Sequence, residues 1–145
     1  MRSGFAFAVG MSLLAAGAGE RYGIAPDPKT YPQASPKEAM ASALKAAEAG
    51  RFDYLVAQLA DPEWVDDRVK RLYGGRFDSQ VEDTRARLGP PTLKLLRRFL
   101  TDGAWQEQGE RASARLKDVP DSRVHLRRLG GRWYLEHRFA PGTEK

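Results

Sequence analysis

The chain has 145 residues, of which 41% are hydrophobic and 30% charged, a length and balance that suit one domain with a modest core and exclude wholesale disorder. It has no cysteine, so disulfides, thiolate zinc sites, cysteine nucleophiles and lipid attachment through cysteine are excluded. The 24 Lys+Arg against 19 Asp+Glu give a formal charge of +5 with acids interleaved, so a solvated mixed-charge surface is expected ahead of a polyanion-binding one.

The N-terminus carries a secretory pattern. Arg2 is followed by an apolar run from Phe5 to Ala16 and then by Ala16-Gly17-Ala18, a small-x-small cleavage pattern. Residues 1–18 are therefore expected to be a signal peptide cut after Ala18, with a secreted or periplasmic location. The run is shorter than the roughly 20 apolar residues of a membrane span; a retained anchor is the alternative. Residues 19–34 contain Pro26, Pro28 and Pro32 and are expected to be an extended linker, with Tyr22 and Tyr31 as its two docking candidates.

A single α+β domain is expected over residues 35–140, with 141–145 as a tail. Ser35-Pro36-Lys37-Glu38 is a capping box that opens a first helix with proline at its first position. Met40, Ala43, Leu44 and Ala47 mark its apolar face, and Gly50 closes it. Phe52, Leu55, Val56 and Leu59 predict a short amphipathic helix. Asp61-Pro62-Glu63 restarts the chain as a helix carrying Trp64, Val65, Val69 and Leu72, broken by Gly74-Gly75. A helix from about Arg76 closes at Gly89-Pro90-Pro91, and a last one carries Leu93, Leu96, Phe99 and Leu100 to about Gly103. The period then changes. Strands are predicted at Ala104–Gln108 and Arg111–Lys117, followed by a loop from Asp118 to Asp121 and a closing hairpin around Gly130-Gly131. Helices first and strands last predict a four-stranded antiparallel meander.

A two-residue turn at Gly130-Gly131 sets the hairpin register. Arg128 then faces Trp133, Leu126 faces Leu135 and Val124 faces His137 on the apolar, helix-covering face. The opposite face pairs Arg127 with Tyr134, His125 with Glu136 as an exposed polar pair, and Arg123 with Arg138. The last pair opposes a close two-fold contact through that face, so a monomer is expected.

Ala43-Leu-Lys-Ala-Ala-Glu-Ala-Gly-Arg-Phe-Asp-Tyr-Leu55 resembles the opening helices of nuclear transport factor 2-like and cystatin-like domains, in which a helix ends at Gly-x-Phe-Asp and a Leu-x-x-x-Leu run follows. Val124 to Glu136 resembles their closing strands, with Gly-x-Trp-Tyr. The resemblance covers roughly residues 35–60 and 104–139. It implies a curved antiparallel sheet wrapping helices into a cone, in a superfamily that includes isomerases, dehydratases, small-ligand binders and secreted domains. The helices over 61–102 depart from the commonest arrangement, in which a strand follows early.

Three functions are weighed. The first is an exported, non-catalytic domain that binds a small apolar ligand or an envelope protein, with Trp64, Trp105, Leu126, Arg128, Trp133, Leu135 and His137 as candidate pocket residues. The second is a small isomerase- or dehydratase-like pocket enzyme of the same fold, using Arg128, His137 or Tyr134 near a pocket; with two histidines and no inward carboxylate on the predicted strands, no acid–base pair is visible. The third is electrostatic binding of an acidic polymer or membrane surface through Arg68, Lys70, Arg71, Arg76, Arg97 and Arg98. No cofactor or metal is indicated: neither glycine pair has phosphate-loop spacing, and Asp66 and Asp67 point apart on a helix. An exported chain is not expected to meet nucleic acid.

Overall fold

A computed structural model describes residues 19–136. The signal segment 1–18, His137 and Arg138 with the pairs expected of them, and the tail 141–145 lie outside the described residues. Helix α1 spans Pro36–Glu48. Ser35 Oγ accepts from the Glu38 N–H (3.2 Å), while Glu38 Oε1 reaches one residue further back than a capping box does, to the Ala34 N–H (2.9 Å). Helix α2 is the single turn Phe52–Tyr54, and it widens into a π-helix over Leu55–Leu59. Helices α3 (Pro62–Tyr73), α4 (Phe77–Arg87) and α5 (Pro90–Asp102) follow. Asp61 caps α3 through the Glu63 N–H, and Gly74 ends it in the left-handed region.

The strands are β1 (Ala104–Gln108), β2 (Arg111–Leu116), β3 (Val119–Leu129) and β4 (Arg132–Glu136), in the order β1-β2-β3-β4 and antiparallel throughout. Among the described residues the fold is α+β with five α-helices, the π-helix and an open four-stranded sheet, as the change of period predicts. The closing register is the expected one: Leu129 faces Arg132, Arg128 faces Trp133 and Leu126 faces Leu135. Gly130 (φ 57) and Gly131 (φ 81) supply the two positive φ values that the tight turn demands.

One boundary differs. The expected loop from Asp118 to Asp121 is only a turn at Lys117-Asp118, and β3 already begins at Val119. The extra residues are absorbed within the strand: pairing jumps from Arg115↔Arg123 to Leu116↔Val119. Pro120 falls inside this irregular stretch, where a missing N–H disturbs no regular ladder.

Two apolar clusters form. One lies between the sheet and helices α1 and α5: Ala39, Met40 and Leu44 meet Leu96 and Phe99, and below them Ala112, Ala114, Leu116, Val124, Leu126 and Trp133. The small alanines of β2 leave room for α5. At the exit of α5, a Cβ on Gly103 would stand 2.3 Å from the Phe99 carbonyl oxygen, so only glycine allows that approach. The second cluster is helical, with Ala43, Ala46, Ala47, Phe52, Leu55, Val56, Leu59, Val65 and Val69. Helix α1 contributes to both.

The π-helix differs from an amphipathic helix in being buried on every side, Gln58 included. The cause is the segment 19–34. It has no long helix or strand, but it is not simply extended: it turns at Tyr22-Gly23 and again over 28–30, and it lies against the domain as a strap. Gln58 Nε2 donates to the Gly19 (2.7 Å) and Ile24 (2.8 Å) carbonyls, and Gln33 Nε2 donates to the carbonyls of Gln58 (3.1 Å) and Trp133 (2.7 Å). Arg132 completes the group by donating to Gln33 Oε1 (2.7 Å) and Gln58 Oε1 (3.0 Å). Arg21 donates to the Ala57 carbonyl and pairs with Asp66, Tyr22 stacks on Phe77 at 4.3 Å, and Tyr31 is buried against Tyr54. The same flank covers the edge of β4: the Trp133 N–H donates to the Gln33 carbonyl (3.0 Å) and the Asp61 N–H to the Leu135 carbonyl (2.8 Å).

Two outcomes follow from this flank. Gln58→Ala is expected to cost about 2–4 kcal/mol, because it opens a hole, takes the donor from two carbonyls and removes one of the acceptors of the Arg132 guanidinium; urea denaturation should show a lower midpoint at unchanged slope. The strap should also loosen at both pH extremes. Burial, with the Asp66 hydrogen bond second, pushes the Tyr22 hydroxyl up to about 12. Its contribution is full below the ordinary tyrosine value near 10 and is lost as pH rises through about 12. Burial alone would raise the Asp66 carboxyl, but hydrogen bonds from Arg21 and Tyr22 outweigh it and hold the group below its ordinary value. Its contribution is present above the ordinary aspartate range and is lost as pH falls through the lowered one. Limited proteolysis across pH should cut the strap first at both ends.

Candidate functional site

Where the two clusters meet, the packing leaves a seam. It is an apolar crevice bordered by α1 (Met40, Ala43, Leu44, Ala47), the π-helix (Leu55, Val56), Trp64 at the start of α3, α5 (Leu93, Leu96) and Leu135 of β4. Its cavity volume is about 70 Å³, within a depression of about 750 Å³ counted out to its open mouth. Leu88, Leu93 and Leu135 pack against both clusters, so the seam runs between them. The i→i+5 turn helps to shape it: the Ala60 N–H reaches back to the Leu55 carbonyl (2.9 Å), which widens the helix and presents Leu55 and Val56 together.

One wall is polar. Helix α4 contributes Gln80, Asp83, Thr84 and Arg87 at helical spacing. Gln80 is fully buried; its Nε2 donates to Thr84 Oγ1 (3.1 Å) and its Oε1 accepts from Arg68 (3.2 Å). Asp83 is held by Arg87 (2.9 Å) and lies 3.7 Å from Arg68, whose guanidinium also sits 4.8 Å above the Trp64 ring. Glu136, at the end of β4, borders the crevice and is paired with Arg111.

The candidate residues separate. Trp64 and Leu135 line the crevice. Trp133 and Leu126 face the helices as the register predicts, but they are buried in the sheet-side core, away from the crevice. Trp105 is half-buried and its Nε1 donates to the Phe99 carbonyl (2.9 Å), closing the end of α5. Arg128 lies 5.6 Å over the Trp133 ring, as expected, and pairs with Glu110 (3.0 Å). His137 is outside the described residues. The α4 wall was not among the candidates. Its sole sequence signal was polar residues at i, i+4 spacing, which any solvated helix face shows.

The expected exposed pair of His125 and Glu136 needs correcting. The two are in register, but Glu136 is buried beside Arg111. A shallow polar recess of about 110 Å³ lies there, bordered by Gln106, Gln108, Arg111, Ser113, His125 and Glu136. The basic residues proposed for polyanion binding are largely matched by acids: Arg68 by Asp83, Arg71 by Asp67, Arg97 by Glu48, and Arg98 by Asp118 (2.8 Å) and Asp102. Asp66 and Asp67 serve Arg21 and Arg71 respectively. Among the described residues no group of three or more side chains is placed to hold a metal, and no helix is long and apolar enough to cross a membrane.

No protein-family model matches the chain, and a search of curated proteins finds no relative. Among solved structures, a SEC-C motif containing protein from Rhodopseudomonas palustris is 22% identical, covering 72% of this chain and 77% of its own, at a TM-score of 0.38. A likeness that loose carries neither fold detail nor function across.

The tryptophans should separate by stability. Trp133→Ala is expected to cost about 3–5 kcal/mol as a core deletion, and Trp64→Ala at the crevice about 1–2 kcal/mol for the smaller area it removes from water. Chemical denaturation of the two variants side by side checks the order.

Proposed function

We propose that the protein is an exported, non-catalytic binding domain that holds a small apolar ligand, of the size of a short aliphatic chain, in the crevice between its two cores. The observation that carries this reading is the seam itself: at least nine apolar side chains from four helical segments and β4 converge on it without filling it. Apolar walls with a few converging polar groups on one side are the usual build of a small-molecule site. The polar α4 wall would orient the polar end of such a ligand. Binding is favoured over catalysis because both carboxylates at the crevice, Asp83 and Glu136, are already engaged by arginines. The export component rests on the Arg2, Phe5–Ala16 and Ala16-Gly17-Ala18 pattern.

Membership of the nuclear transport factor 2-like and cystatin-like superfamily, with its cone-shaped sheet, belongs to the same proposal. It is supported by the positions of the two motifs. Gly50-Arg51-Phe52-Asp53 leads into the π-helix and Gly131-Arg132-Trp133-Tyr134 into β4, and both elements border the crevice.

Decanoate titrated into the protein should shift Trp64 emission and raise the melting temperature saturably. Leu93→Arg, at a half-buried position on the wall, should abolish both effects. The absence of any saturable change in the unsubstituted protein would reject the ligand-binding reading.

A further inference from the structure

The sheet has two faces, and the one turned away from the helices carries an unbalanced charge. Ala112, Ala114 and Leu116 of β2 and Val124 and Leu126 of β3 point into the core, so Arg111, Ser113, Arg115, Arg123, His125 and Arg127 share the outer face. Two of its arginines are neutralised. Arg127 meets Asp61 (3.2 Å) and Glu63 (3.0 Å), and Arg111 meets Glu136. The other two are not. Arg115 and Arg123 are direct cross-strand partners, both are exposed, and neither guanidinium makes an ion pair or hydrogen bond among the described residues. Asp121, two residues before Arg123, bridges to neither. Their Cα atoms stand at the usual cross-strand distance of about 4.5–5.5 Å, and like charges placed directly opposite destabilise a sheet.

We propose that Arg115 and Arg123 form an anion site for a phosphoryl group, that of a phosphate ester or diphosphate, either free or carried by a lipid. Two planar guanidinium forks on adjacent strands can close on one tetrahedral oxyanion with several short charge-assisted hydrogen bonds. The next cross-strand row supplies the remainder of the site. Ser113 faces His125 and Gln106, and these border the polar recess of about 110 Å³, where hydroxyl and amide groups would receive the non-phosphate part of the ligand. The site lies across the sheet from the apolar crevice and does not depend on it. It also differs from Arg68, Arg71, Arg97 and Arg98 on the helices, which acids already occupy. An anion between Arg115 and Arg123 would turn a repulsive pair into a bridged one, so the ligand and the repulsion are linked.

That linkage gives the test. In the unsubstituted protein, pyrophosphate should raise the melting temperature saturably by about 3 °C or more beyond sodium chloride at matched ionic strength. Phosphatidylcholine vesicles doped with phosphatidic acid, against phosphatidylcholine alone, form the second arm. A pyrophosphate shift identifies a free phosphate ligand, and retention by the doped vesicles alone identifies a lipid-borne one; either supports the site. Arg115→Gln and Arg123→Gln should each abolish the response while leaving the ligand-free melting temperature equal or higher, because each removes a repulsion. Arg97→Gln, remote on α5 and paired with Glu48, should keep it. A pyrophosphate effect no larger than that of chloride, together with no retention by the doped vesicles, would overturn the proposal. So would a response that survives in both sheet variants, or a lowered ligand-free melting temperature in them.

Discussion

Two side-chain amides, Gln33 and Gln58, are buried where water cannot reach them, and an amide without partners inside a core costs on the order of 1–3 kcal/mol. Their satisfaction organises one whole flank. Gln58 binds carbonyls of the strap, Gln33 binds carbonyls of the π-helix and β4, and Arg132 at the start of β4 donates to both amide oxygens. Among the described residues every buried side-chain polar atom has a hydrogen-bond partner. A network of this kind acts as a unit: strap, π-helix and last strand must be in place together, or several groups lose their partners at once. The strap therefore counts as part of the domain, although its composition is that of a linker.

The π-helix is the element through which this flank reaches the crevice. Its outer side is covered by the strap, so all five residues are buried, and its inner side gives Leu55 and Val56 to the seam between the clusters. Helix α1 serves both clusters with residues of different bulk: Met40 and Leu44 toward the sheet, Ala43, Ala46 and Ala47 toward the helices. A small-residue face lets the helical cluster approach closely, and the bulk of the other face keeps the sheet at a distance. Between them Leu88, Leu93 and Leu135 touch both sides without closing the gap. The crevice is thus a consequence of how α1 is written, which ties a ligand-sized space to the same residues that define the core.

Much of this was legible in the chain. Ser35, Asp61 and the glycine pairs are local signals, and each acts over a few residues, so the helix boundaries follow from them. The register of the last hairpin is legible for the same reason, since Gly130-Gly131 fixes the turn and strict alternation does the rest. What alternation could not tell was depth. Trp133 and Leu126 share a face with Leu135, yet the first two are sealed under α1 and α5 and only Leu135 reaches the seam. Which part of an apolar face is core and which is cavity depends on what packs above it, and those residues lie far along the sequence. Glu136 is a comparable case: it occupies an outward position by alternation and is still buried, beside Arg111 from β2.

The sequence by itself determined the class of the fold, the start and stop of most elements, the pairing of the closing strands and the absence of cysteine chemistry, because caps, turns and side-chain period are short-range physics. Tertiary structure alone decided that residues 19–34 are part of the body, that the helix after Phe52 is wound as a π turn, and that a gap remains between two cores. It also decided which arginines find acids and which do not: Arg127 meets Asp61 from 66 positions away, while Arg115 and Arg123 meet each other. Charge matching and void volume are properties of surfaces brought together from distant stretches of chain, and no local pattern encodes them.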